Sequence, residues 1–397
     1  MSEQKKHYDV IITGAGAAGL MCAISAGKQG KNVLLIEHNK NVGDKIRISG
    51  GGRCNFTNLN IDKSNYLSRN PYFCLSALNN FSNHDFISMV EKHQIHYHEK
   101  TLGQLFCDNS SKEIINMLLN ECSETKVTIT TETKVTSLKK EKETFTICTN
   151  QGDFSCSSTV IATGALSIPK MGATDFGYKI AKQFDLNIIT PEAALVPLSF
   201  NDNLIKKTKH LSGVSVEYVT ATCNKQSFCE DLLFTHKGLS GPVILQISSY
   251  WNPGDEITIN LATGLNMLNI LKEARTEQAK QEIATILSDF LPKKFAIFLS
   301  EKHNCKTHIA DMTNQKLEAI ANDINNWRIT PSSTEGFVKA EVTKGGIDTD
   351  EINAKTFEAK KVSGLYFIGE VLDVTGHLGG YNFQWAWSSG YVAGQYA

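Results

Sequence analysis

Val10-Ile-Ile-Thr-Gly-Ala-Gly-Ala-Ala-Gly-Leu20 joins a short apolar run to a helix of small residues through glycines spaced G-x-G-x-x-G. The spacing predicts a strand over Tyr8–Thr13, a helix over Ala17–Lys28 and a second strand over Asn32–Glu37, together a β-α-β unit. In that setting the glycines have separate tasks. Gly14 permits the sharp turn, Gly16 lets a pyrophosphate approach bare backbone, and Gly19 lets the helix pack on the sheet. The helix start, at Ala17 and Ala18, offers N–H groups and the positive end of its dipole to the anion. Glu37 ends the second strand, eighteen residues after Gly19. A carboxylate there accepts from ribose hydroxyls and disfavours a 2′-phosphate, so the turn suits FAD or NAD over NADP.

The other end of the chain carries a matching device. Leu365–Ile368 reads as a buried strand that ends in Gly369-Glu370, crosses a glycine-rich loop and enters a helix at Gly379-Gly380-Tyr381-Asn382. Between the two, Gly43-Asp-Lys-Ile-Arg-Ile-Ser-Gly-Gly-Gly-Arg-Cys-Asn-Phe-Thr-Asn58 is too rich in glycine for a regular helix or strand. It suits a backbone nest around a planar or anionic group. Ligand-cradling turns at opposite termini are what an FAD site needs, one for the ADP half and one for the flavin half.

Bulk properties narrow the class. At 397 residues the chain predicts two or three domains. Its net charge of −1 implies no strong field for nucleic acid or an anionic membrane, so the expected partner is a small-molecule substrate, with no nucleic acid and no membrane. The polar start, residues 1–9, has no signal-peptide core, and no apolar run of about eighteen residues occurs, which points to the cytoplasm. The ten cysteines include no C-x-x-C, against zinc or a dithiol relay, and no metal is expected. Oligomeric state is not readable.

Helical spacing recurs over residues 84–93 and 111–122, and alternation over residues 126–149. Ser158–Ala165 reads as a buried strand ending in a tight turn. From about Pro191 short alternating segments predict a small β-barrel or sandwich over residues 195–263. Residues 266–325 read as helical, with Gln278–Leu291 and Gln315–Asn325 the clearest pieces, before a last strand over Gly336–Thr343.

The Ser-Gly-Gly-Gly-Arg-Cys-Asn-x-Thr-Asn run, Ala162-Thr-Gly, Gly238-Leu-Ser-Gly-Pro242 and Gly369–Asn382 together resemble the YhiN/BaiN-like flavoproteins, which carry labels such as NAD(P)/FAD-dependent oxidoreductase or aminoacetone oxidase-like. The resemblance covers the whole chain. It implies an α/β fold: a Rossmann-like, two-dinucleotide-type FAD-binding domain (residues 1–190 and 345–397) interrupted by an inserted β-barrel domain (191–265 and 330–344) and a helical subdomain (266–329). It further implies that Gly14, Gly16, Ala17, Ala18 and Gly19 hold the pyrophosphate, with Glu37 and His38 at the adenosine ribose. Lys45 and the stretch Ser49, Gly50, Gly51, Gly52, Arg53, Cys54, Asn55 would flank the flavin, and Val135 would offer backbone to adenine. Ala162, Thr163 and Gly164 would close over the nucleotide, and Gly369 and Glu370 would meet the ribityl or pyrophosphate region. Gly380, Tyr381 and Asn382 would point N–H groups at the flavin carbonyls. Two departures from the family pattern are Ala165, where a second glycine is common, and Lys344, where a small residue is usual.

His377 and Tyr381 are the candidate acid–base groups. Cys54 lacks a partner cysteine nearby and reads as packing, as do Trp385 and Trp387 on the last helix. The function expected is an FAD-dependent oxidoreductase exchanging a hydride between flavin N5 and a small organic substrate, with NAD(P)H as a transient donor or O2 as co-substrate. Two other readings stand beside it: a flavin-dependent RNA-modification enzyme, which the neutral charge disfavours, and a non-catalytic flavin-binding protein.

Overall fold

Val10, Ile11 and Ile12 are fully buried because their strand lies mid-sheet. That strand, β1 (Lys6–Thr13), pairs in parallel with β2 (Val33–Ile36) on one side and with the ten-residue strand Gly152–Ile161 on the other. The computed structural model describes residues 6–305 and 307–397, and the first five residues of the polar start read over residues 1–9 lie outside them. Thr128–Thr130 extends the parallel set beyond β2. The strand Gly152–Ile161 changes partner along its length. Its first half pairs antiparallel with Thr144–Thr149, and its last three residues pair parallel with Leu365–Phe367.

This register decides where the site can be. Thr13 lies level with both Ile36 and Ile161, and Ile161 with Phe367. The segments that follow, Gly14, Glu37, Ala162 and Ile368, therefore leave the sheet at one end, outside the carboxyl ends of parallel strands, where open α/β sheets bind ligands.

Two helices lock the termini together. α1 (Ala17–Lys28) packs on the terminal helix Tyr381–Tyr396 through glycines, since a Cβ on Gly390 would lie 2.4 Å from Ala18 O and one on Gly394 2.4 Å from Cys22 O. Ser25 Oγ donates to Tyr391 O at 2.6 Å across the same seam. Trp387 stacks between Phe86 and Phe383, and its indole N–H donates to Phe56 O at 2.8 Å. These tryptophans are core, as is Cys54.

The described residues up to Glu192, with Val342–Ala397, form one compact unit, and Ala193–Glu341 form another. In the second, the alternating segments pair as a seven-stranded antiparallel sheet in the order Trp327–Ile329, Ile257–Asn260, Ser215–Cys223, Gln226–Phe234, Gly238–Ser240, Leu198–Ser199, Ser333–Thr334. Phe234, Phe295 and Trp327 form an aromatic cluster between that sheet and the helices.

Two element expectations fail. Gln278–Leu291 is not one helix: a helix Met267–Glu277 ends before it, and only Ile283–Leu287 within it is helical. Tertiary hydrogen bonds replace helical ones there, with Ile309 N donating to Gln281 O at 2.8 Å. The strand read over Gly336–Thr343 is displaced to Val342–Ile347, because Gly336, at φ +70, starts a turn closed by Lys339 N and Ala340 N on its carbonyl.

Candidate cofactor and active site

At the end of β1 the glycine turn is fixed by sterics. A Cβ on Gly14 (φ +105) would lie 2.5 Å from Ala162 O, and one on Gly19 would overlap Gly14 O. Around Gly16 nothing lies within 4 Å of that position, so the middle of the turn faces open space. Thr13 Oγ1 and Thr163 Oγ1 flank it, both buried and without a hydrogen-bond partner among the described residues. The Glu37 carboxylate accepts from Ala15 N (2.8 Å) and Asn39 N (2.9 Å) and lies 3.1 Å from His38 Nδ1. Burial opposes its charge, but these donors outweigh burial and hold the carboxyl below its ordinary value. Thr133 N donates to Glu37 O at 2.9 Å, which brings the turn before Val135 to the same corner.

The Gly43–Asn58 stretch becomes α2 (Asp44–Gly52) with a nest at its end. Ser49 leaves the helical region (ψ 149), and Gly50 and Gly51 are both left-handed (φ 56 and 65). Gly50 backs onto the Phe106 ring, whereas Gly51 and Gly52 have open space where a Cβ would stand. Such consecutive N–H groups form an anion-binding concavity. Arg53 is exposed beside it. Cys54 is fully buried, and burial pushes its thiol up to about 12, so it is no thiolate at neutral pH.

From α2, Lys45 Nζ donates to Glu370 Oε2 (2.8 Å) and to Ser167 Oγ (2.6 Å). Glu370 Oε1 accepts from Ser167 Oγ (2.8 Å) and Thr343 N (2.9 Å). Gly164 closes over this cluster, with Glu370 Oε2 3.8 Å from its Cβ position. Gly369 (φ +71) is pinned by Ser389 Oγ on its N–H and the Trp385 indole on its carbonyl. Its Cβ position is 3.0 Å from the Ala18 side chain, which joins the C-terminal turn to the N-terminal glycines.

Asn55 ties the nest to the terminal helix. With its amide set to satisfy its neighbours, its oxygen accepts from Gly380 N at 3.1 Å and its nitrogen donates to Thr57 O and Leu105 O. Gly380 (φ +93) presses on Thr57 O. The Asn382 side chain accepts from Gly376 N and donates to Gly376 O, both at 2.8 Å, so it braces the preceding loop. Tyr381 sits edge-on to Tyr66 (6.2 Å) and His377 (6.1 Å). Burial pulls His377 down to about 4, so its ring is neutral at physiological pH.

The structure thus brings two groups together. Gly14, Gly16, Ala17, Ala18, Gly19, Ala162, Thr163, Gly164, Gly369, Glu370 and Lys45 share the sheet end, and Ser49–Asn55, His377, Gly380, Tyr381 and Asn382 surround the nest. Thr13, Ser167 and Thr343 were not read as part of the site. A serine 122 residues from Lys45 carries no local signal. The residues fit FAD: an open glycine turn with orphaned threonine hydroxyls beside it suits a pyrophosphate, and an open nest suits the flavin half.

A family profile described as HI0933-like protein Rossmann domain matches residues 8–396. The chain belongs to the HI0933-like family. That upholds the YhiN/BaiN-like resemblance, and the chain is an enzyme of the FAD-dependent oxidoreductase type. It is 48% identical over 395 residues to the ribosomal RNA dihydrouridine synthase of Escherichia coli (strain K12), covering 98% of each chain. It is 28% identical over 405 residues to the 3-dehydro-bile acid delta(4,6)-reductase of Clostridium scindens, covering 97% of this chain and 98% of that one. Among solved structures it is similar in fold to the 3-ketosteroid-delta4-(5alpha)-dehydrogenase of Rhodococcus jostii RHA1 (TM-score 0.50, 13% identity, 99% and 98% covered).

One expectation is overturned. A near-full-length relative named for ribosomal RNA contradicts the reading of no nucleic acid. Net charge averages over the whole surface and says nothing of how charge is distributed on it. Among the described residues no helix is long and apolar enough to cross a membrane.

Proposed function

We propose that this enzyme reduces the C5–C6 double bond of a uridine in ribosomal RNA to dihydrouridine, with FAD as cofactor and NADPH or NADH as electron source, in the cytoplasm. The observation that carries the reading is the 48% identity, over 98% of both chains, to a protein named for that reaction. The more distant bile-acid relative supports the reaction type, since its name also describes reduction of carbon–carbon double bonds in a 3-oxo substrate. In both substrates the double bond is conjugated to a carbonyl, so hydride adds at the β carbon and a proton at the α carbon. In uracil these are C6 and C5.

Bound FAD supplies the hydride from N5. The chain supplies the rest. The N-terminus of the helix Tyr381–Tyr396 would hold the flavin pyrimidine edge, where its dipole favours negative charge. Tyr381 is the candidate donor of the C5 proton. His377, half-buried and neutral, is suited to donate a hydrogen bond to a uracil carbonyl rather than to act as an imidazolium acid. The proton delivered to C5 is replaced from solvent, and the hydride originates on the nicotinamide, which leaves oxidised.

The test is to incubate the purified holoenzyme with NADPH or NADH and unmodified ribosomal RNA, then digest the RNA and measure nucleosides by mass spectrometry. Dihydrouridine at a defined position, formed only with reductant, is the expected result. Nicotinamide oxidation without dihydrouridine in any ribosomal RNA would overturn the assignment.

A further inference from the structure

The neutral chain conceals a basic face within its second unit. Asp202–Thr208 forms a short helix that runs on as a 3-10 turn through Leu211, and it exposes Lys206, Lys207, Lys209 and His210. The helix Lys293–Lys302 exposes Lys293 and Lys294 in its first turn. The two segments touch where the His210 ring meets Phe298 at 5.4 Å. Lys206 lies one helical turn before His210, and Lys294 one turn before Phe298, so these lysines flank one contact. Leu204, Ile205 and Phe298 root both segments in the same apolar core.

None of the five lysines has a carboxylate within ion-pair distance among the described residues, although Lys237 and Lys302 of the same unit are paired. The acids on these segments are Asp202, which is exposed, and Glu301 in the last turn of the second helix, with the exposed Asp289 just before that helix. The first turn of the helix Lys293–Lys302 contains no acid, and its dipole disfavours the lysines placed there. A positive helix end with two unpaired lysines costs stability in the free protein and lowers the potential energy of an anion. Phe290 (37% exposed) and Ile297 (40% exposed) add apolar surface beside the charges, the combination that unpaired RNA uses through phosphate contact and base stacking.

We infer that Lys206, Lys207, Lys209, Lys293 and Lys294 form a docking surface for the phosphodiester backbone of the RNA substrate. The inference rests on the RNA reading above and adds the place on the chain where RNA is held. A purely apolar or basic partner would leave the lysines unmatched.

The test compares the wild-type holoenzyme with two five-fold variants, Lys→Gln and Lys→Arg at these positions, in binding to a labelled ribosomal RNA fragment across a salt series. Flavin absorbance and thermal midpoint are recorded alongside. Each phosphate contact contributes about 0.7 to the salt slope for single strands and about 0.9 for duplex. The Lys→Gln variant is expected to bind at least about tenfold more weakly and to lose roughly 3 to 4 from that slope. Its flavin spectrum and midpoint should be unchanged, and Lys→Arg should restore binding. Equal affinity and slope in wild type and Lys→Gln would overturn the inference even if dihydrouridine forms. Loss of RNA binding in Lys→Gln, with no dihydrouridine made by the wild type, would uphold the surface and sink the reaction.

Discussion

Burial acts on His377 and Glu121 with opposite consequences for charge. At His377 desolvation pulls the ring down to about 4 and leaves it neutral. The Glu121 side chain is also almost wholly enclosed, and burial again opposes its charge, but His93, Lys28 and Lys92 lie at 2.9, 2.8 and 2.7 Å from its oxygens. Their hydrogen bonds outweigh burial and lower the carboxyl from 4.5 to about 2. A depressed carboxyl stabilises the fold fully above 4.5, and that contribution is lost as pH falls from there through about 2. Thermal midpoints recorded from pH 7 down to 2 should fall most steeply in that window. Glu121→Gln should lower the midpoint at pH 7 and flatten the curve below 4.5, because nothing then remains there to protonate. A curve for the variant parallel to that of the wild type would mean that other carboxylates govern acid unfolding.

At the scale of elements, the seam between α1 and the terminal helix sets one helix propensity against one steric contact. Alanine in place of Gly390 would favour the helix by about 1 kcal/mol. Its Cβ, however, would lie 2.4 Å from Ala18 O, a backbone atom that cannot swing aside. Separating the helices costs about 1–3 kcal/mol, so Gly390→Ala should be destabilising overall and should loosen the N-terminus of α1, where the pyrophosphate is expected. Thermal melts and FAD retention after gel filtration measure both effects, and a more stable variant with full flavin would show that the seam yields. Elements of this kind were legible where one residue type has one physical use. The glycines at 14, 16 and 19, and the apolar strands around them, fall into that class. Gln278–Leu291 was misread because helical spacing is local, whereas the hydrogen bonds that break it come from residues 309 and 310. The tie from Lys45 to Ser167 and Glu370 was out of reach for the same reason, since side chains 122 and 325 residues apart share no pattern.

Across the whole molecule, every residue of the cofactor site, Ser167 and Thr343 included, lies within one of the two compact units. The lysine face lies in the other unit, between residues 206 and 294. Ligands of the two kinds should therefore leave separate footprints in hydrogen exchange. FAD should slow exchange at residues 14–20, at the nest over residues 49–55, at Ala162–Gly164 and at the start of the terminal helix. Those N–H groups would gain an acceptor in the bound cofactor. The strands Ser215–Cys223 and Gln226–Phe234, already bonded in their own sheet, should not change. A ribosomal RNA fragment added to the holoenzyme should instead slow exchange over residues 202–211 and 290–298, and salt should erase that protection while leaving the FAD footprint in place. The contrast follows from the forces involved: phosphate contacts on an exposed face are screened, whereas a cofactor held by many backbone hydrogen bonds is released by salt far less. RNA protection confined to the flavin nest, with none over the lysine segments, would place all RNA recognition at the site of chemistry and leave the basic face without a role.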